Sequence, residues 1–143
     1  MSFASECVSN FTEIITKKYC LFSGRARRRE YWMFVLANFV IGVIASVIDN
    51  VFGLEIENGA NDIEILSTIV SLALLLPSLG LTVRRLHDIG RDWYWIFIAL
   101  IPIAGPIWLL VLECREGDRF DNAFGPDPKA GPVFVPGDNR PVV

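Results

Sequence analysis

The chain has 143 residues, a net charge of −3 and 52% hydrophobic residues, with a mean hydropathy of +0.43. That size suits one domain. Nearly all charges lie outside three long apolar runs, which excludes an ordinary soluble helical fold with a polar face on every helix.

The first element is an amphipathic helix over residues 3–19. Phe3, Cys7, Phe11, Ile15 and Tyr19 recur every four residues, and Val8 and Ile14 fall on the same side. Ser5, Glu6, Ser9, Asn10, Thr12 and Glu13 fill the opposite arc. Such a helix is suited to lying in the membrane interface rather than crossing it. The alternative is packing against the protein's own cytoplasmic segments. Ser23-Gly24 then breaks the helix ahead of the basic cluster Arg25 to Arg29.

Three charge-free runs follow, Tyr31 to Ile48, Ile65 to Val83 and Trp93 to Leu112. At ~1.5 Å per residue each covers roughly 27–30 Å, about the thickness of a hydrocarbon core. The expected fold is therefore an all-α membrane protein with spans at about 31–52, 63–83 and 93–112, preceded by the amphipathic helix. Asn58-Gly59 marks a turn between the first two spans. Pro77 is expected to kink the second span. Pro102, Gly105 and Pro106 argue for a broken or strongly bent third span, and a re-entrant hairpin is the other arrangement they allow. Residues 1–114 are read as a membrane domain, and 115–143 as an irregular Pro/Gly-rich tail.

Charge asymmetry orients the spans. Lys17, Lys18, Arg25, Arg27, Arg28 and Arg29 precede the first, and Arg84, Arg85 and Arg91 follow the second. Asp49, Glu55, Glu57, Asp62 and Glu64 lie between them without a Lys or Arg. Positive residues near span ends stay cytoplasmic. The N-terminus and the 84–92 loop are thus placed inside, and three crossings would put the C-terminus in the periplasm. Cys7, Cys20 and Cys114 form no metal-spaced set, and no disulfide is expected across the two sides.

The tightest polar constellation is Arg84-Arg85-Leu86-His87-Asp88 at the cytoplasmic end of the second span. With Arg25, Arg28 and Arg29 it forms a candidate site for lipid phosphate or a partner, because guanidinium groups hold phosphate through paired donors. The competing reading is a membrane-flanking cluster whose Arg and Asp neutralise each other. No nucleophile stands beside His87, so no catalytic residue is assigned and the protein is read as non-enzymatic. No metal or cofactor is assigned either. Pressed against the membrane, the basic cluster points to anionic lipid rather than nucleic acid.

Three motifs carry a resemblance: Phe22-Ser-Gly-Arg-Ala-Arg-Arg-Arg-Glu-Tyr-Trp32, Arg84-Arg-Leu-His-Asp-Ile-Gly-Arg91 with Trp93 to Trp95, and Asn122-Ala-Phe-Gly-Pro-Asp-Pro128. In order and spacing they resemble domain-of-unknown-function family 805, small proteins of the bacterial inner membrane. The resemblance covers roughly residues 11–128. It implies an integral membrane protein without an established reaction, and it draws attention to Gly24, Asn122, Gly125, Asp127 and Pro128 as motif residues of unknown role. The expected function is a structural or accessory subunit that docks onto a larger membrane complex or self-associates. An anionic-lipid or phosphate-binding module is the alternative, and a small oligomeric transporter comes last.

Overall fold

A computed structural model describes residues 2–57, 62–130, 134–135 and 138–141. The Asn58-Gly59 turn lies outside the described residues. The chain divides into two compact units, Met1–Phe22 with Arg29–Thr82, and Ser23–Arg28 with Val83–Val143.

The first unit contains helix α1, Phe3–Lys17, most of α2, Arg28–Phe52, and most of α3, Ile65–Asp88. Ser2 caps α1, its hydroxyl accepting from the Ser5 amide at 3.3 Å. The four-residue repeat becomes a packed face. Ile14 is fully buried, and the Phe11 ring stacks on Phe34 at 5.3 Å. Two polar contacts fix α1 against α2. Cys7 Sγ donates to the Met33 carbonyl at 3.3 Å, and Asn10 Nδ2 to that of Glu30 at 3.0 Å. Tyr19 reaches α3 instead, donating to the Ala73 carbonyl at 2.5 Å. Phe3 and Val8 remain exposed.

Among the described residues, α2 and α3 are the two helices long and apolar enough to cross a membrane. Helix α2 outruns the charge-free stretch, continuing to Phe52, so Asp49 falls inside it and is fully buried. The Asp49 carboxylate accepts from the amides of Leu66 and Ser67, at 2.9 and 2.8 Å. These are first-turn donors of α3 that no intrahelical carbonyl serves. A carboxylate there also meets the positive end of the helix dipole. Glu64 gathers Ser46, Asn50 and Ser67 by hydrogen bonds of 2.9, 3.2 and 2.9 Å. Strands β1, Glu55–Ile56, and β2, Ile63–Glu64, pair antiparallel with Glu55 opposite Glu64. Helix α3 is continuous through Pro77.

In the second unit the expected third span is not one helix. Residues Trp93–Leu100 form a 3₁₀ helix, and Ala104–Cys114 form α4. Eleven residues of α-helix fall well short of the ~20 a crossing needs. Pro102 and Pro106 lack the amides that would carry one helix through. Ile103 has φ +64° and ψ −60°, a strained γ-turn for a β-branched residue. The two helices pack on each other as a hairpin. Gly105 permits this, because a Cβ there would lie 1.9 Å from the Ile98 carbonyl oxygen. Strands β3, Phe134–Val135, and β4, Asp138–Pro141, pair antiparallel near the C-terminus.

Candidate functional site: a buried arginine–aspartate clasp

The site lies wholly within the second unit. It is built from the Ser23–Arg28 segment, the last turn of α3, the end of α4 and the irregular stretch that follows. Helix α3 presents Arg85 and Asp88 one turn apart on one face, a spacing that lets the two side chains meet. Asp88 is clamped from two sides. Its Oδ1 lies 3.0 Å from Arg25 Nε, and its Oδ2 accepts from Arg85. The side chains of Arg25, Arg85 and Asp88 are 1%, 0% and 2% exposed. Charges so buried persist only when paired and hydrogen-bonded.

The remaining guanidinium donors go to backbone carbonyls. Arg25 donates to Phe120 at 2.8 Å and to Asp118 at 2.5 Å, with longer bonds to Gly125 and Asp88 at 3.4 Å each. Arg85 donates to Glu113 at 3.0 Å and to Arg115. The Asp118 amide closes on the Asp88 carbonyl at 2.8 Å, and the Ala26 amide on that of Arg84 at 3.0 Å. Gly117 lies against Asp88 so closely that a Cβ would fall 2.0 Å from Oδ2.

His87 forms the second layer. Its ring stacks flat on Phe124, with centroids 4.1 Å apart and planes 2° from parallel. Nδ1 lies 3.1 Å from the Gly24 carbonyl, which assigns the proton to that nitrogen, since a carbonyl only accepts. Gly24 itself has φ +84°, a conformation glycine adopts without penalty. Asn122 donates to the His87 carbonyl at 2.9 Å and to Asp118 at 3.0 Å, and accepts from the Phe124 amide at 3.0 Å. Asn122 and Gly125 also form a backbone bridge.

Of the residues singled out in the sequence, Gly24, Arg25, Arg85, His87, Asp88, Asn122 and Gly125 therefore meet in one cluster. Arg84 is buried beside them. Asp127 sits one turn later, where its carboxylate accepts from the Lys129 amide at 2.8 Å and Pro128 lies between the two. Arg28 is exposed and reaches the Cys114 carbonyl at 3.4 Å. Arg29 belongs to the first unit, 68% exposed and paired with Glu6. What sequence reasoning missed are the acceptors on residues 113, 115, 118 and 120. Backbone carbonyls leave no signature in a residue pattern; Gly117 was the available clue.

Outside the clasp, the Arg91 guanidinium lies over the Trp95 ring at 4.5 Å, a cation–π contact. Lys129 binds Glu116 at 3.0 Å. That hydrogen bond, the charge of Lys129 and then Arg119 hold the Glu116 carboxyl below its ordinary range. Among the described residues no group of three His, Cys, Asp or Glu could hold a metal ion, and Cys7, Cys20 and Cys114 are free thiols.

Two long apolar helices, a short helical hairpin and a buried Arg–Asp clasp define a small helical protein of membrane-protein type. The chain belongs to the family described as "Protein of unknown function (DUF805)", which it matches over residues 19–126. It is 44% identical over 117 residues to "Inner membrane protein YhaI" of Escherichia coli (strain K12), covering 82% of this chain and 93% of that one. It is 39% identical over 118 residues to "Inner membrane protein YhaH" of the same organism, covering 82% and 95%. "Uncharacterized protein YiiR" is 32% identical over 91 residues, 63% of this chain and 53% of that one. No solved structure matches the chain.

Proposed function

We propose that this protein is a non-enzymatic integral subunit of the bacterial cytoplasmic membrane, crossing it with α2 and α3 and associating there with a second membrane-spanning chain, its own copy or another protein. The observation that carries the reading is the outward surface of the two long helices. Phe39, Val43 and Val47 on α2, and Ile69, Leu72 and Leu76 on α3, are large, apolar and exposed. In water such surface would be costly; in lipid, or against another span, it is the expected one. The names of the YhaI and YhaH relatives support the membrane assignment. Basic residues flanking α2 and α3 support a cytoplasmic N-terminus. Exposed Phe3 and Val8 support a position of α1 along the cytoplasmic interface.

Internal commitment of the titratable groups supports a subunit rather than a catalyst. Arg25, Arg85, Asp88 and Asp49 all spend their hydrogen bonds within the protein. Chemical crosslinking in membranes followed by purification in mild detergent tests the reading. A crosslinked dimer or a co-purifying membrane protein supports it, and a lone monomer under both conditions rejects it.

The second reading, anionic-lipid binding, is favoured by exposed Arg28 and Arg29 next to the first span. It rests on these two rather than on buried Arg84, Arg85, His87 and Asp88. Replacing both with Gln should lower retention of anionic lipid in native mass spectra, and unchanged retention rejects it.

A further inference from the structure

Resting on the membrane reading above, we propose that residues Trp93–Cys114 are a re-entrant wedge that occupies the hydrocarbon of the cytoplasmic leaflet and turns back at mid-membrane. The C-terminal segment then lies in the cytoplasm, where three crossings would have put it outside.

The dimensions of the hairpin motivate this. Its descending leg is the eight-residue 3₁₀ helix, about 16 Å long at ~2.0 Å per residue. Its ascending leg is the eleven-residue α4, about 16 Å long at ~1.5 Å per residue. Both match half of a ~30 Å hydrocarbon core. The entrance and the exit of the hairpin both adjoin the end of α3. The descending leg starts five residues after Asp88, with Trp93 and Tyr94 exposed at its mouth, as suits aromatic rings at headgroup depth. The ascending leg ends where Arg85 grips the carbonyls of Glu113 and Arg115. Arg85 and Asp88 thus hold the exit of the hairpin beside its entrance.

The tip is built for a solvent without water. Leu100 and Ile103 are 77% and 82% exposed, and neither leg carries a charge before Glu113. Backbone amides are the obstacle to any turn in lipid, because an unsatisfied donor there costs several kcal/mol. The tip removes most of them. Pro102 and Pro106 have no N–H. Ala104 donates to Pro102 at 2.7 Å through the γ-turn, Gly105 to Ile101 at 3.0 Å, and Ile101 to Ile98 at 3.1 Å. Strain at Ile103 is the cost of turning without exposing those donors.

Cysteine accessibility in the full-length chain tests the wedge. Cys7, Cys20 and Cys114 are first replaced by Ser, and single cysteines are then introduced as Lys129→Cys or Ile103→Cys. An impermeant maleimide is applied to cells with a permeable outer membrane, and then to cells opened on both sides. The wedge requires Lys129→Cys to be labelled only after opening, with at least a tenfold gain. It requires Ile103→Cys to stay unlabelled in both. Labelling of Lys129→Cys from outside overturns the wedge in favour of a full crossing. Labelling of Ile103→Cys in opened membranes overturns it in favour of a tip in water. Extraction of the same membranes with alkaline carbonate separates the two levels of inference. Release of the chain defeats the membrane reading itself, whereas retention with outside labelling of Lys129→Cys defeats the wedge alone.

Discussion

Gly117 and Asp88 are in such close contact that the structure leaves no room for a methyl group between them: a Cβ on residue 117 would stand 2.0 Å from a carboxylate oxygen. That oxygen is the one Arg85 holds. Gly117→Ala therefore pushes on a buried carboxylate that is 2% exposed, and overpacking of this kind costs about 1–3 kcal/mol. Thermal unfolding in detergent should shift down by several degrees. Gly42→Ala is the control, since nothing lies within 4 Å of its added carbon.

Asp88→Asn should be more damaging. It leaves Arg25 and Arg85 buried against each other without the charge that offsets them, and breaking a buried pair costs about 3–5 kcal/mol. The variant should accumulate in membranes at a small fraction of the normal level. Exposed Arg28→Ala should cost less than about 1 kcal/mol, and a comparable loss from both would contradict the clasp.

Asp49→Ala should loosen the start of α3 by about 1–2 kcal/mol, because two first-turn amides lose their acceptor. Asp49→Asn keeps one acceptor oxygen and should lie between the variant and the native protein. Amide exchange at Leu66 and Ser67 reads this directly; protection unchanged in Asp49→Ala would refute the capping role.

Gly105→Ala should separate the two legs of the hairpin, since the added carbon meets the Ile98 carbonyl at 1.9 Å. A pair of spin labels on the exposed sides of the two legs would report the distance. An increase of a few ångströms is expected, and an unchanged distance would mean that the legs absorb the clash.

Acid should release the Lys129 end of the structure. Hydrogen bonding from Lys129 keeps the folded Glu116 carboxyl below its usual 4.5, so the attachment is complete above that value and fades as pH falls through the lower, folded one. The Lys129 side chain should gain mobility in that acidic window, read by NMR relaxation of its terminal methylene. Glu116→Gln should show the raised mobility at neutral pH already.

Much of this architecture is legible in the order of residues. Uncharged runs locate α2 and α3, and the four-residue spacing of Phe3, Cys7 and Phe11 locates α1, of which Phe11 and Ile14 pack while Phe3 stays exposed. In the third run Pro102, Gly105 and Pro106 announce the break that the structure shows, whereas hydropathy registers composition and is blind to the backbone. Pro102, Gly105 and Pro106 are apolar or neutral, so Trp93 to Leu112 scores as one segment while its amides cannot form one helix. The expected span 31–52 already runs past Asp49; what the pattern does not show is that its carboxylate is buried, because its partners are backbone amides of α3. In the clasp, charge pattern and motif point to Arg25, Arg85 and Asp88. Their other partners are carbonyls of a stretch whose composition reads as an unstructured tail.

Arg25 and Gly125 are hydrogen-bonded across one hundred residues of sequence. During synthesis the arginine is made early and its acceptors at 118, 120 and 125 only near the end. Until then a guanidinium and a carboxylate destined for the interior stand without their full complement of neighbours. Such distant pairings form late, so completion of the clasp awaits the segment around residues 113–125. A chain halted beyond the second long helix would carry Arg25, Arg85 and Asp88 without the carbonyls that complete their hydrogen bonds.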